Sequence, residues 1–148
     1  MVAARTLTDR DYALLLSVRT RLRRFEHWSS ERAAELGLTG SQHQLLLAIR
    51  GHRDPAGPTI GDLAEYLLIR HNTAVELINR TQQLGVIRRN HDPDDHRVVR
   101  LRLTAAGICK LEALAATHIE ELSQLTSTIE AMIDDLAGEA PPMSADAD

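Results

Sequence analysis

The sequence has little cysteine, few aromatic residues and no long apolar run. Its single Cys109 excludes an intrachain disulfide and any metal site built from several thiolates, and one thiol is typical of a reducing compartment. No stretch approaches the roughly 18 apolar residues that cross a bilayer, and the N-terminus lacks the apolar core of a signal peptide. We therefore expect a soluble, cytoplasmic protein with no membrane partner.

Aromatic residues make up only 3% of the 148 residues, whereas alanine and leucine are abundant. This composition favours helices packed by aliphatic side chains over a β-sandwich or barrel. The length suits one folding unit. The fold class that follows, together with the patterns below, is mostly α with a small β-hairpin.

Charge is distributed unevenly along the chain, although the net charge is only -4. Residues 70–102 contain seven arginines and four acids, whereas residues 111–148 contain nine acids and no lysine or arginine. Sixteen of the 17 basic residues are arginine. Arginine binds guanine and phosphate bidentately, but a GC-rich genome would also explain the excess.

The first helix is predicted over about residues 9–36. Thr8 followed by Asp9 and Asp11 is typical of a helix N-cap with acids in the first turn. Apolar residues then recur at spacings of three and four, which is the pattern of a helix that packs along another helix. They are Leu15, Val18, Leu22 and Phe25.

Two shorter helices begin with capping boxes. Thr39 with Gln42 starts the second helix, which continues to Gly51, and Thr59 with Asp62 starts the third. The segment 52–58 between them contains two prolines and a glycine, which predicts a loop. A turn near Ile69 follows, and a fourth helix is predicted over residues 73–84. Two short helices joined by a turn form a helix-turn-helix, whose second helix normally enters the major groove.

After Gly85 the apolar period changes from helical to alternating. Two strands, one starting at Val86 and one around residues 99–103, are joined by a polar turn at 91–96, which predicts an antiparallel hairpin, or wing. One or two helices follow, with apolar residues again spaced by three and four. Both helical seams predict a homodimer. The predicted dimerisation residues are Leu15, Val18, Leu22, Leu122, Leu125, Ile129, Met132 and Leu136.

Several motifs in this order resemble the MarR family of bacterial transcriptional regulators, over residues 9–137. The most specific is the wing signature, Asp95-x-Arg97 followed by Leu101-x-Leu103-Thr104-x-x-Gly107. Leu38-Thr39 with Gln42 and Ile60-x-Asp62-Leu63-Ala64 resemble the second and third helices of the family. The resemblance implies a winged helix-turn-helix at 37–104, dimerisation helices at 1–36 and 105–137, and a function in transcription. The remaining residues 138–148 are expected to form a disordered acidic tail.

The exposed side of helix 4 and the wing are the predicted DNA-binding site. The resemblance implies a pseudo-palindromic double-stranded DNA site bound by a homodimer, a repressor function and release by a small-molecule effector. No cofactor and no enzymatic activity are expected. The predicted DNA-binding residues are Arg70, His71, Asn72, Thr73, Glu76, Arg88, Arg89, Asp95, Arg97 and Arg100. Among the wing residues, Asp95 is expected to orient Arg97, while Arg88, Arg89, Arg100 and Arg102 contact phosphate.

The sequence departs from the family at two positions. Leu68 stands where a turn glycine is usual, and we expect it to keep a negative φ. Arg70 stands where a serine or aspartate cap is usual, and Asn72 is a substitute N-cap that would shorten helix 4. These departures leave the identity of the bases read open.

Other interpretations are weaker. A protein-interaction module that has kept the winged fold but lost DNA binding is the main alternative, favoured by the acidic C-terminal region and opposed by the arginine-rich wing. A zinc site would need about four convergent ligands, and nothing else in the chain forces the neighbouring His91, Asp92, Asp94 and His96 to converge. We interpret Cys109 as a packing residue rather than as a redox sensor. We interpret Trp28 as a core residue rather than as part of an effector pocket that it would line with His27.

Overall fold

A computed structural model of the chain describes residues 6–138. The helices are α1 (Asp9–Glu35), α2 (Gly40–Gly51), α3 (Ile60–Leu67), α4 (His71–Gln83) and α5 (Ala105–Gly138), and the strands are β1 (Ile87–His91) and β2 (Val99–Leu103). The predicted fold class, mostly α with a small hairpin, is confirmed. The C-terminal region is a single helix of 34 residues. Beyond Gly138, the predicted disordered tail lies outside the described residues.

The starts of α2 and α3 match the predicted capping boxes. The Thr39 hydroxyl accepts from the backbone N–H of Gln42 at 3.1 Å, and the Gln42 side chain accepts from the Thr39 N–H at 2.9 Å. Thr59 and Asp62 exchange the same pair of bonds at 3.1 and 2.8 Å. Each pair satisfies two N–H groups that the first turn of a helix leaves without helical partners.

The chain divides into two compact units, and residues 28–118 form the first. Its core brings together the apolar faces of α2, α3 and α4, the inward side of the hairpin and the first turns of α5. The largest fully buried side chains include Leu45, Leu46, Leu63, Ile78 and Leu101. Because these five leucine and isoleucine side chains come from four different elements, the winged unit has a core of its own.

The hairpin pairs β1 with β2 in antiparallel register, from Ile87 opposite Leu103 to His91 opposite Val99. An isolated bridge joins Thr59 to Arg100, and the Leu101 N–H donates to the Pro58 carbonyl at 2.9 Å. The segment leading into α3 is therefore hydrogen-bonded to the outer side of β2.

The second unit comprises the described residues of 1–27 and 119–148. Asp11, which accepts from the Thr8 N–H at 2.7 Å, is its one buried residue among those described. Large apolar side chains are exposed instead, including Tyr12, Leu16, Ile119 and Ile133. Of the predicted dimerisation residues, Leu15, Leu22 and Leu122 are exposed and the other five are half-buried. Among the described helices, none is long and apolar enough to cross a membrane.

Candidate nucleic-acid interface

The turn between α3 and α4 has a strained backbone. Leu68 adopts the left-handed conformation, with φ 54° and ψ 41°, and is 91% exposed. The expectation of a negative φ was therefore wrong. The left-handed residue lets two N–H groups close the end of α3, since Leu68 donates to the Glu65 carbonyl and Ile69 to the Ala64 carbonyl. A leucine here has the geometry that glycine adopts at lower cost.

Helix α4 begins at His71, and Arg70 is its N-cap residue. Arg70 has the extended backbone of a cap, with φ -70° and ψ 152°, but makes no side-chain capping bond. The expectation that Asn72 caps a shortened helix was also wrong, because Asn72 and Thr73 lie inside the first turn. The helix thus starts two residues before the predicted Thr73, and its first N–H groups have no side-chain cap.

The first half of α4 presents polar residues on one exposed side. The buried residues of the helix, Ala74, Ile78 and Thr81, lie on the opposite side. Five predicted DNA-binding residues are brought together here, and all are exposed: Arg70, His71, Asn72, Thr73 and Glu76. Glu76 is tied only loosely to Arg80, at 3.5 Å. Such a surface of short hydrogen-bonding side chains at a helix start has the composition of a major-groove reader.

The tip of the wing presents Arg97. Its side chain is 91% exposed, and its Nε and Nη2 donate to the two carboxylate oxygens of Asp95 at 3.1 and 3.4 Å. The Asp95 carboxylate also accepts from the Arg97 backbone N–H at 3.1 Å. The hydrogen bond from the Arg97 side chain is the main reason that the pKa of Asp95 is lowered. The carboxylate holds the guanidinium in one orientation while leaving it open to solvent.

The other wing arginines have different environments. Arg89 reaches back to α4, where it donates to Asn79 at 2.6 Å and to Gln82. Arg102 donates to the Pro55 carbonyl. Arg88 is exposed near the base of the hairpin, and its side chain has no hydrogen-bond or ion-pair partner among the described residues. The phosphate contact predicted for these side chains therefore stays a prediction. Arg88 is the one of the three whose side chain would break no intramolecular hydrogen bond to make it.

Arg100 lies in a place that the sequence did not indicate. Its side chain is only 19% exposed, and Nε donates to Asp92 at 2.8 Å. Asp92 is itself buried, although the sequence indicated a tip too polar to be core. The signal that could have found it is local: an aspartate before proline commonly accepts from the N–H groups two and three residues on.

Four of the seven histidines form two groups. His91 Nδ1 lies 3.0 Å from the His96 carbonyl at the wing, and among the described residues no three metal-ligating side chains converge. Inside the winged unit, the His118 ring lies 4.7 Å from the rings of both Trp28 and His43. Ser29 Oγ is 2.8 Å from His118 Nε2. Burial lowers the pKa of His43, and the neighbouring His118 lowers it further.

The helix-turn-helix and the hairpin that closes on it define a winged helix-turn-helix protein. The family model described as MarR family matches residues 36–98 of this chain. This match confirms the resemblance noted from the sequence, within the segment that contains the helix-turn-helix, β1 and the turn of the wing. No protein of curated function matches the sequence.

Solved structures share the fold over most of the chain. The Staphylococcus aureus MepR–DNA complex is 23% identical with a TM-score of 0.68, over 90% of this chain and 96% of that one. AbsC, a MarR family transcriptional regulator from Streptomyces coelicolor, is 19% identical with a TM-score of 0.67, over 92% and 100%. Bordetella bronchiseptica BpsR, whose DNA binding is regulated by 6-hydroxynicotinic acid, is 21% identical with a TM-score of 0.56, over 79% and 83%.

Proposed function

We propose that the protein is a sequence-specific transcriptional regulator that binds double-stranded DNA as a homodimer. The observation that carries the proposal is the pairing of two exposed features in one winged unit. The first half of α4 presents Asn72 and Thr73. The wing presents Arg97, whose guanidinium is oriented by Asp95 but exposed to solvent. Polar side chains at a helix start can contact base edges in the major groove, and an exposed arginine fits a minor groove. The DNA-bound state of the similarly folded MepR supports this use of the fold.

The homodimer is proposed from the second unit. Its described residues bury almost nothing by themselves, and the apolar side chains that α1 and α5 contribute to this unit are exposed or half-buried at helical spacing. A contiguous apolar surface of this kind usually marks an interface. A two-fold dimer would present two α4 helices roughly 34 Å apart, which matches successive major grooves and a pseudo-palindromic site.

DNA binding is tested by fluorescence anisotropy on the fragment upstream of the coding sequence, with a shuffled fragment as comparison and a salt series for each. We expect preference for the natural fragment and affinity that falls steeply with salt. Arg97→Ala should weaken binding about 10- to 100-fold, because a well-placed arginine contributes roughly 1–3 kcal/mol. Arg21→Ala, which removes an exposed arginine of α1, is the matched control and should change little. Absence of binding to any DNA at low salt would favour the protein-interaction module instead.

The dimer is tested by sedimentation of the wild type and of Leu15→Asp/Leu122→Asp. Both leucines are exposed in the described chain, at 57% and 44%. A charge at each should produce monomers and weaken binding to a two-half-site operator by more than tenfold. Inserting five base pairs between the half-sites should have a similar effect, because it rotates one half-site to the opposite side of the duplex. A wild type that sediments as a monomer contradicts this part of the proposal.

Repression and release by an effector complete the proposal. Their support is the fold shared with BpsR, whose DNA binding is regulated by 6-hydroxynicotinic acid. Small aromatic acids, beginning with that compound, are the first probes in a displacement assay on the bound operator. Release at a concentration that leaves the melting temperature unreduced supports an effector, and a reporter gene behind the operator distinguishes repression from activation.

A further inference from the structure

The wing is organised around one buried carboxylate. Asp92 is 7% exposed, and its Oδ1 accepts from the backbone N–H groups of Asp94 at 2.8 Å and Asp95 at 3.1 Å. Its own N–H donates to the Val98 carbonyl at 2.9 Å, across the turn. Two backbone N–H groups at the tip of the wing are thus bound by one side chain, and a third residue is bound by the backbone of Asp92.

The second oxygen of this carboxylate is bound by Arg100. Arg100 Nε donates to Asp92 Oδ2 at 2.8 Å, while Nη1 donates to the Gly57 carbonyl at 3.0 Å and lies 3.6 Å from Asp54 Oδ2. A guanidinium with a rigid fork of donors suits this task, since it fixes directions as well as distances. Arg100 therefore joins the tip of the wing to the loop that precedes α3.

The backbone supports the same connection. Arg100 bridges to Thr59, the N-cap residue of α3, and its neighbour Leu101 bonds to Pro58. Gly57 has a φ of +90°, and a Cβ there would lie 2.4 Å from the Leu101 carbonyl oxygen. Only glycine allows the loop to approach β2 this closely. Arg100 and residues 57–59 consequently fix the position of the wing relative to the helix-turn-helix.

The chain of contacts ends at Arg97. Asp92 fixes the Asp95 N–H, and the Asp95 carboxylate holds the Arg97 guanidinium. We propose that Arg100 makes no phosphate contact and is instead a positioning residue, which acts with Asp92 to set Arg97 at a fixed place relative to α4. The proposal rests on the DNA-binding function above and revises the role that the sequence predicts for Arg100.

The salt dependence of DNA binding separates a positioning residue from a phosphate contact. The slope of log K against log salt is negative, and each lost phosphate contact reduces its magnitude by about 0.9. Arg100→Gln should weaken binding about tenfold with the slope unchanged, whereas Arg97→Ala should lower both the affinity and the magnitude of the slope. On the Arg97→Ala background, Arg100→Gln should cause little further loss, because the two side chains act in series. A slope whose magnitude falls by about 0.9 in Arg100→Gln would overturn the proposal.

Asp92→Asn gives a test of opposite sign. If Asp92 acted only through electrostatic repulsion of the DNA, removing its negative charge would strengthen binding. If Asp92 positions the wing, the same change should weaken binding. Asp94→Asn is the matched control, since its exposed carboxylate has no hydrogen-bond or ion-pair partner among the described residues; it should bind as tightly as the wild type or more so. Tighter binding by Asp92→Asn would overturn the proposal.

The role of Arg100 in ordering the wing can also be measured without DNA. Amide hydrogen exchange at Asp94, Asp95 and Arg97, measured by NMR, should accelerate in Arg100→Gln and Asp92→Asn while the amides of α4 stay protected. If the wild type bound no DNA, the proposed function would fail and these rates would still decide whether Arg100 orders the wing. Unchanged exchange at the three amides would overturn the positioning role.

Discussion

The wing and the start of α4 contribute the two proposed DNA contacts, and they are held in opposite ways. At the wing, Arg97 is fixed by Asp95, which is in turn fixed by Asp92. At the start of α4, Arg70 makes no capping bond, and the turn before it contains the left-handed Leu68. One contact is set within the free protein, whereas the other retains strain and unsatisfied N–H groups.

This difference indicates where DNA would change the protein. A preorganised wing loses little conformational freedom on binding, so its arginine contributes affinity efficiently. The first turn of α4 has N–H groups that a phosphate can satisfy, so ordering of this turn should accompany binding. We expect the wing to hold its conformation in the complex and the start of α4 to tighten.

The largest effect is expected from breaking the support of the wing at Gly57. Gly57→Ala must relieve both a positive φ and the contact with the Leu101 carbonyl, which costs about 2–3 kcal/mol. For a chain of this size the melting temperature should fall by roughly 5–10 °C. Differential scanning calorimetry measures the change.

Two other glycines separate the causes. Gly85→Ala has a positive φ of 72° but open space around the new Cβ, so it should cost only about 1 kcal/mol. Gly51→Ala has neither problem and should leave the melting temperature within a degree or two. If Gly85→Ala and Gly57→Ala cost the same, the close approach to β2 contributes nothing.

The next effect is expected from giving α4 the cap that it lacks. Arg70→Ser places a hydroxyl on a backbone that already has cap geometry, and should stabilise the protein by about 1 kcal/mol in urea unfolding. Thr39→Ala, at the start of α2, removes an existing cap and should cost a similar amount. DNA affinity should fall in Arg70→Ser despite the added stability, since the proposed DNA contact of Arg70 is lost. A variant that is less stable than the wild type would show that Arg70 supports α4 in another way.

A smaller gain is expected from relieving the turn. Leu68→Gly removes about 1–2 kcal/mol of left-handed strain but adds conformational freedom to the unfolded chain, for a net stabilisation of about 0.5 kcal/mol. Leu84→Gly is the control, because Leu84 ends α4 with a negative φ of -77° and is about half exposed. That variant should be destabilised. Equal effects in urea unfolding would mean that the strain at Leu68 is negligible.

The sequence was informative where the determinants are local. The caps of α2 and α3 depend on side chains three residues apart, and both were predicted to the residue. The alternating pattern of Leu101 and Leu103 identified β2 for the same reason. The Asp95–Arg97 bond is also local, and the structure has it as expected.

The failures have non-local causes. The burial of Arg100 was not predicted, because its partner Gly57 is 43 positions away and no periodicity encodes that contact. Leu68 takes a positive φ because α3 and α4 must both pack on the core, and this requirement overrides the preference of leucine. Asn72 does not cap because α4 begins at His71, which places Asn72 inside the first turn.

The carboxylate of the wing and the histidine of the core affect stability in different pH ranges. The backbone N–H of Asp94, followed by Arg100, lowers the pKa of Asp92 below its ordinary value of 3.8, so this group stabilises the fold above about pH 4 and loses that effect as the pH falls through its folded pKa. Burial lowers the pKa of His43 below 6.5, so the unfolded chain takes up a proton first and stability falls as the pH drops below about 6.5. Urea unfolding between pH 7 and 5 should therefore show a decline that His43→Gln flattens and Asp92→Asn leaves in place. Equal slopes in the wild type and His43→Gln would mean that the buried imidazole does not control this range.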